Sequence, residues 1–107
     1  MRAGWLKNRV TLQKLTKSQN DYGEYVQTWQ DVATVWASIE PLRGREYLEA
    51  SAKNAEITHR IRIRYRDNLD AGMRIKFGSR TFNIESVIDV LEKHKEIELM
   101  CKENERG

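Results

Sequence analysis

The chain has 107 residues, 39% of them hydrophobic and 33% charged, and its 19 basic and 16 acidic groups leave a net charge of +3. That is enough chain for one domain with a modest core, too apolar for a disordered tail, and too near neutrality for overall charge to imply nucleic acid. No apolar run approaches the roughly 20 residues that cross a bilayer. The opening MRAGWLKNR is too poor in apolar residues for a signal peptide, and Cys101 has no disulfide partner, so the sequence predicts cytoplasmic synthesis and no membrane partner.

In chain order, Arg9–Leu15 opens as a strand with Val10 and Leu12 inward. TKSQNDYGE reads as a polar loop ending in a glycine turn at Asp21–Glu24. YVQTWQDVATVWASIEPL gives one long strand, or two with a break near Gln30–Asp31, in which Val35, Ala37 and Ile39 alternate with Thr34, Trp36 and Ser38. Pro41 marks a strand end or an edge, because it cannot donate to a ladder. Residues 43–55 are small and charged, and admit either a short helix at Glu46–Lys53 or a mobile loop; connections of this length are often functional.

THRIRIRYR, residues 58–66, is the most regular stretch in the chain. Side chains alternate across a strand, so a strand from about Glu56 to Arg66 puts Ile61, Ile63 and Tyr65 on one face and Arg60, Arg62, Arg64 and Arg66 on the other. Met73–Phe77 alternates again, Gly78–Ser79 reads as a two-residue hairpin turn, and Arg80–Val90 places Phe82, Ile84, Ser86 and Ile88 on one face. LEKHKE is a further turn, and Glu96–Lys102 closes with Ile97, Leu99 and Cys101 in step. Six or seven short-linked strands predict an all-β fold, a small antiparallel barrel or sandwich with one long loop that admits a short helix. Its length and twist make the arginine strand favour a barrel. The whole chain, 1–107, is one domain, with tails at 1–8 and 103–107 and the long loop at 43–55.

Little here supports catalysis. His59 and His94 are the only histidines; His59 lies on the apolar face of its strand and His94 in a charged turn. Cys101 alternates with core residues. No metal-ligand spacing, Gly-rich phosphate loop or nucleophile–base pair can be assembled, so the sequence predicts no enzyme and no cofactor. Trp29 and Trp36 fall in strands and are assigned to core or rim packing. Trp5 precedes the first strand, where it would anchor a partner or cap the open end of the barrel.

Charge is segregated. Residues 60–80 carry seven basic groups against Asp67 and Asp70, whereas residues 89–107 carry six acidic groups against four basic ones. Such polarity suits an anionic partner or head-to-tail self-association.

DYGE (21–24), TWQDVATVWASIEPLRGREY (28–47), THRIRIRYR (58–66), the F-x-I-E-S-V element of RTFNIESVIDV (80–90) and LMCKE (99–103) occur in this order. The set resembles the head–tail joining proteins of tailed phages, the head-closure or head–tail adaptor family, from about Arg9 to Glu103. The resemblance implies a virion structural protein: a small β-barrel with a long loop, assembled as a ring, twelvefold in the family. Such a ring sits beneath the portal and adaptor, extends the channel for genomic DNA, retains the packaged genome and presents a surface to a tail or tail-completion protein. The gene would belong to a phage or a prophage.

On this reading the isolated protein is a folded monomer that forms a ring on a partner template. The long loop, through Arg43, Arg45, Glu46, Tyr47 and Lys53, is mobile in the monomer and orders on assembly, where it touches a neighbouring subunit or lines the channel. The stripe of Arg60, Arg62, Arg64 and Arg66 faces either DNA or a neighbouring subunit. The subunit is favoured, through acids around Glu92–Glu105, because packaged DNA must slide and arginine pairs well with carboxylates. The alternative function is a nucleic-acid-binding barrel of the OB or SH3-like kind, but no aromatic interleaves the arginines on their own face.

Overall fold

The computed structural model describes residues 6–53 and 57–104. Six strands form one closed barrel: β1 (Asn8–Gln19), β2 (Tyr25–Pro41), β3 (His59–Arg64), β4 (Arg74–Phe77), β5 (Arg80–Asp89) and β6 (Glu96–Glu103), in the order β1-β2-β3-β6-β5-β4. Every pairing between these strands is antiparallel. One helix, α1 (Gly44–Lys53), fills most of the β2–β3 connection.

The barrel forms because each strand alternates. Val10 and Leu12, Ala37, Ile61 and Ile63, Ile75, Phe82 and Ile84, and Ile97, Leu99 and Cys101 all point inward and are nearly free of solvent contact. Closure removes the open edges that such short strands would otherwise expose. Gly78, at φ +60°, supplies the tight turn between Phe77 and Arg80 that the sequence predicts.

Several expectations change. The arginine strand is shorter than 56–66: β3 stops at Arg64, so Tyr65 and Arg66 lie beyond it, and Glu56 falls outside the described residues. The break near Gln30–Asp31 is not a break. β2 runs through, and the β1–β2 register jumps from Leu12↔Ala33 to Gln13↔Asp31, leaving Val32 as a bulge. A second bulge falls in β5, where the β6 register jumps from Ile84↔Cys101 to Ser86↔Met100. One extra residue reverses the facing of everything after it. Val87 therefore packs on the core and Ile88 is 43% exposed, contrary to simple alternation. At the C-terminal end, Glu103 belongs to β6 and Asn104 bonds to Thr81 and Asn83, so these two residues of the expected tail are held by the barrel.

The largest departure is the polar loop after Leu15. β1 continues to Gln19 and pairs with β2 up to Gln19↔Tyr25, whereas β4 pairs with β1 only at Thr11, Leu12 and Gln13. Beyond that rung, β1 and β2 continue as a two-stranded ribbon that projects from the barrel, and the molecule is 49 Å long by 28 Å by 25 Å. A two-stranded ribbon has no second layer to bury its faces. Leu15, Tyr22, Tyr25 and Val26 are accordingly exposed.

Candidate functional site

The arginine stripe sits on the outer wall of the barrel, and its members have different surroundings. β3 lies between β2 and β6, with Glu40 opposite Arg60, Glu98 opposite Arg62 and Glu96 opposite Arg64. Arg60 reaches Glu40 at 3.6 Å and Glu46 of α1 at 3.1 Å. Arg62 lies among three carboxylates, Glu98 at 3.2 Å, Glu40 at 3.3 Å and Glu96 at 3.5 Å. Of the acids around Glu92–Glu105 expected to meet the stripe from a neighbouring subunit, Glu96 and Glu98 thus meet Arg62 within the same chain, and Glu40 and Glu46 hold Arg60. Interleaved opposite charge on adjacent strands offsets the repulsion of like charges two residues apart.

Arg64 and Arg66 are different. Arg64 is exposed and forms no ion pair with a described residue. The Nε of Arg66 is shielded from solvent and has no hydrogen-bond partner among the described residues. Both line a cleft of about 580 Å³, with Arg9, Val35, Trp36 and Tyr65 among the other lining residues. Trp36 is 51% exposed, with the Arg9 guanidinium 5.1 Å from its ring centroid, so it belongs to the surface rather than to the core. Trp29, in contrast, is half-buried under Arg74, whose guanidinium stands 4.3 Å from its ring.

Residues 43–55 resolve in favour of helix over Gly44–Lys53. Glu46 in its first turn and Lys53 in its last suit the helix dipole. None of its residues is buried. It stands over the outer faces of β3, β5 and β6 across a groove of about 500 Å³ lined by Glu46, Ala50, Arg60, Ile88 and Met100 among others. Arg43 and Arg45 are exposed at its start, with Tyr47 and Leu48, 42% and 69% exposed, on its next turn. Trp5 lies outside the described residues.

The remaining titratable groups are structural. His59 packs edge-on against Phe82 at 5.1 Å and shares a 2.8 Å hydrogen bond with the Thr58 hydroxyl. Burial lowers its pKa, Glu103 at 3.8 Å opposes that shift, and nearby Arg80 adds to it. Burial pushes the Cys101 thiol far above its usual range, away from the reactive thiolate. His94 is solvated and pairs with Asp89 at 2.8 Å. Among the described residues, no group of three or more His, Cys, Asp or Glu side chains is placed to hold a metal ion. Among the described residues no helix is long and apolar enough to cross a membrane.

Sequence reasoning missed the projecting ribbon. Its signal was present, because Thr16 on one side of NDYG and Tyr25, Val26 and Trp29 on the other are strand-favouring residues, but polarity between them reads as loop.

A closed barrel with a projecting ribbon and an unburied helix defines a small assembly module, with its chemistry on the outer surface. The chain belongs to the phage head completion protein family, whose model it matches over residues 1–104. Its role is accordingly structural, in the head–tail part of a virion. It is 33% identical over 76 residues to head completion protein gp7 of Enterobacteria phage HK97, covering 71% of this chain and 68% of that one. Its fold is similar to the solution structure of protein SF1141 from Shigella flexneri 2a, with a TM-score of 0.75, 32% identity and full coverage of both chains. It is also similar in fold to a chain in the virion of a native gene transfer agent particle, with a TM-score of 0.64 and 16% identity over 95% of this chain and 97% of that one.

Proposed function

We propose that the protein assembles as a ring, twelvefold as in the phage connectors that it resembles, below the portal or adaptor of a DNA-filled head. There it extends the DNA channel, helps retain the genome and offers the surface on which a tail or tail-completion protein docks. The observation that carries this reading is the pair of elements that leave apolar side chains uncovered on an otherwise compact barrel: the ribbon, with Tyr22 and Tyr25 88% and 75% exposed, and α1, with Tyr47 and Leu48 outward. A subunit that meets neighbours on more than one side needs such surfaces, and a barrel core this well filled does not need them for its own stability.

In this assembly Arg60 and Arg62 brace α1 and β6 against the wall, while Arg64 and Arg66 are the stripe members that face a neighbouring subunit. Arg43, Arg45, Glu46, Tyr47 and Lys53 form the helical contact surface. The alternative of a nucleic-acid-binding barrel loses support because half of the stripe is already held by carboxylates.

Electron microscopy of the protein mixed with its candidate portal–adaptor complex tests the reading. A closed ring seated on that complex is the expected result. Salt-dependent binding of short oligonucleotides by the free monomer, with no ring on the complex, would favour the nucleic-acid module instead.

A further inference from the structure

We infer that the tip of the β1–β2 ribbon docks into the Arg9–Arg64–Arg66 cleft of a second copy of this chain. The inference deepens the ring reading by naming its subunit contact.

The tip is built to be presented. The Asn20 side-chain oxygen accepts hydrogen bonds from the Tyr22 and Glu24 amides, both at 3.0 Å. The Asn20 amide donates to the Glu24 carbonyl at 2.8 Å, and the Gly23 amide to the Asn20 carbonyl at 3.0 Å. Gly23, at φ +78°, makes the turn. This bonding fixes the turn while both tyrosines stand in solvent, so little backbone entropy is lost when a partner covers them. Between Ser18 and Gln27 the only charges are Asp21 and Glu24, both negative.

The cleft has the opposite character. Arg9, Arg64 and Arg66 line it, and among the described residues no acidic one does. Leu6, Val35, Trp36 and Tyr65 give it an apolar floor. The shielded Nε of Arg66 has no hydrogen-bond partner among the described residues and would be satisfied by an acceptor. A tyrosine-bearing, doubly acidic turn matches this lining in both polarity and charge. Aromatic anchors seated among arginines are the usual centre of a protein contact, and complementary charge fixes their orientation.

The two surfaces cannot meet within one chain. Arg9 and Trp36 form one rung of the β1–β2 ladder, within the barrel, and Gln19 and Tyr25 another at the ribbon tip, ten residues further along β1. At about 3.4 Å per residue the tip stands some 34 Å from the cleft. The contact is therefore intermolecular and heterologous, tip of one copy into cleft of the next, the kind that propagates into a ring when the rotation closes.

The test uses two variants of the full chain. Tyr22→Ser/Tyr25→Ser can accept a neighbour but not donate a tip; Arg64→Glu/Arg66→Glu can donate but not accept. The isotope-labelled tip variant is titrated to millimolar concentration with the unlabelled cleft variant and followed by amide NMR. The expected result is a saturating shift of amides at Arg9, Thr34–Trp36 and Tyr65–Arg66, absent when the unlabelled tip variant is added instead. A synthetic cyclised hairpin spanning residues 18–27 gives the same shifts and does not depend on the folding of the cleft variant. No shift with either donor overturns the inference, as do equal shifts with both protein variants. It is overturned too if the cleft responds only after residues 1–5 are deleted, since the chain's own N-terminal segment is then the occupant. Rings formed on the portal–adaptor complex by both variants would sink this contact and leave the ring reading intact.

Discussion

The Nε of Arg74 donates a 2.7 Å hydrogen bond to Oε1 of Gln13, and Gln13 in turn donates to Asp31 at 2.7 Å. This chain of bonds sits on the last rung that joins β1 to β4, Gln13↔Arg74, beside the bulge at Val32. Trp29 stacks on the same guanidinium. The cluster is thus the root of the ribbon, where a strand of a closed barrel becomes one strand of a free arm. Gln13 is 7% exposed, so its amide cannot fall back on water. Replacing Gln13 by Ala leaves part-buried donors and acceptors unmatched and should cost about 1–3 kcal/mol. Denaturant unfolding checks the magnitude. Amide exchange checks the location: residues 14–30 should lose protection before the barrel does. Unchanged exchange in the arm would mean that the ribbon is held by its own cross-strand bonds alone.

Arg62 and Arg64 sit two residues apart on β3 and should behave oppositely. Arg62→Glu places a fourth carboxylate among Glu40, Glu96 and Glu98, around a side chain only 21% exposed. We expect a loss of about 1–3 kcal/mol. Arg64→Glu reverses an exposed charge with no ion pair among the described residues, and the like charge it sets opposite Glu96 should cost less than about 1 kcal/mol. Thermal unfolding of the two variants side by side is sufficient. Equal losses would show that the stripe acts as one electrostatic unit.

The β5 bulge makes a similar contrast. Val87→Asp puts a carboxylate against the core and should unfold or severely destabilise the barrel, while Ile88→Asp, on the outer wall, should be tolerated. Simple alternation from Phe82 and Ile84 gives the reverse order, so the pair is a direct test of the register.

That contrast also shows where the sequence stops being legible. Alternation was sufficient for the barrel: Ile61 and Ile63, Phe82 and Ile84, and Ile97, Leu99 and Cys101 are all core residues. It failed after Ile84 and after Leu12, because a bulge changes facing without leaving a mark in composition. It failed at Thr16–Gln19, because a two-stranded ribbon in solvent needs no apolar face and so reads as loop. The arginine stripe was visible as a pattern, but its setting was not. Whether Glu96 and Glu98 lie beside Arg62 or on a neighbouring molecule depends on the order of strands around the barrel, which no local spacing encodes.

His59 offers a test by pH. Its ring is held neutral by burial against Phe82, which places its folded pKa below the unfolded value of 6.5. Above that value the ring is neutral in both states and has no effect on the pH dependence. As pH falls below it, the unfolded chain takes up a proton that the folded chain resists, so stability declines until the folded pKa is passed. The opposing pull of Glu103 limits the decline and does not reverse it, because burial is the larger cause. Wild-type protein should therefore lose stability between about pH 7 and about pH 5, and His59→Gln should lose less over the same range. Guanidinium unfolding midpoints at the two pH values give the comparison, with the carboxylates common to both proteins cancelling in the difference. A wild-type protein that loses no more than the glutamine variant would mean that the Glu103 pairing outweighs burial and that His59 titrates as a salt-bridge partner.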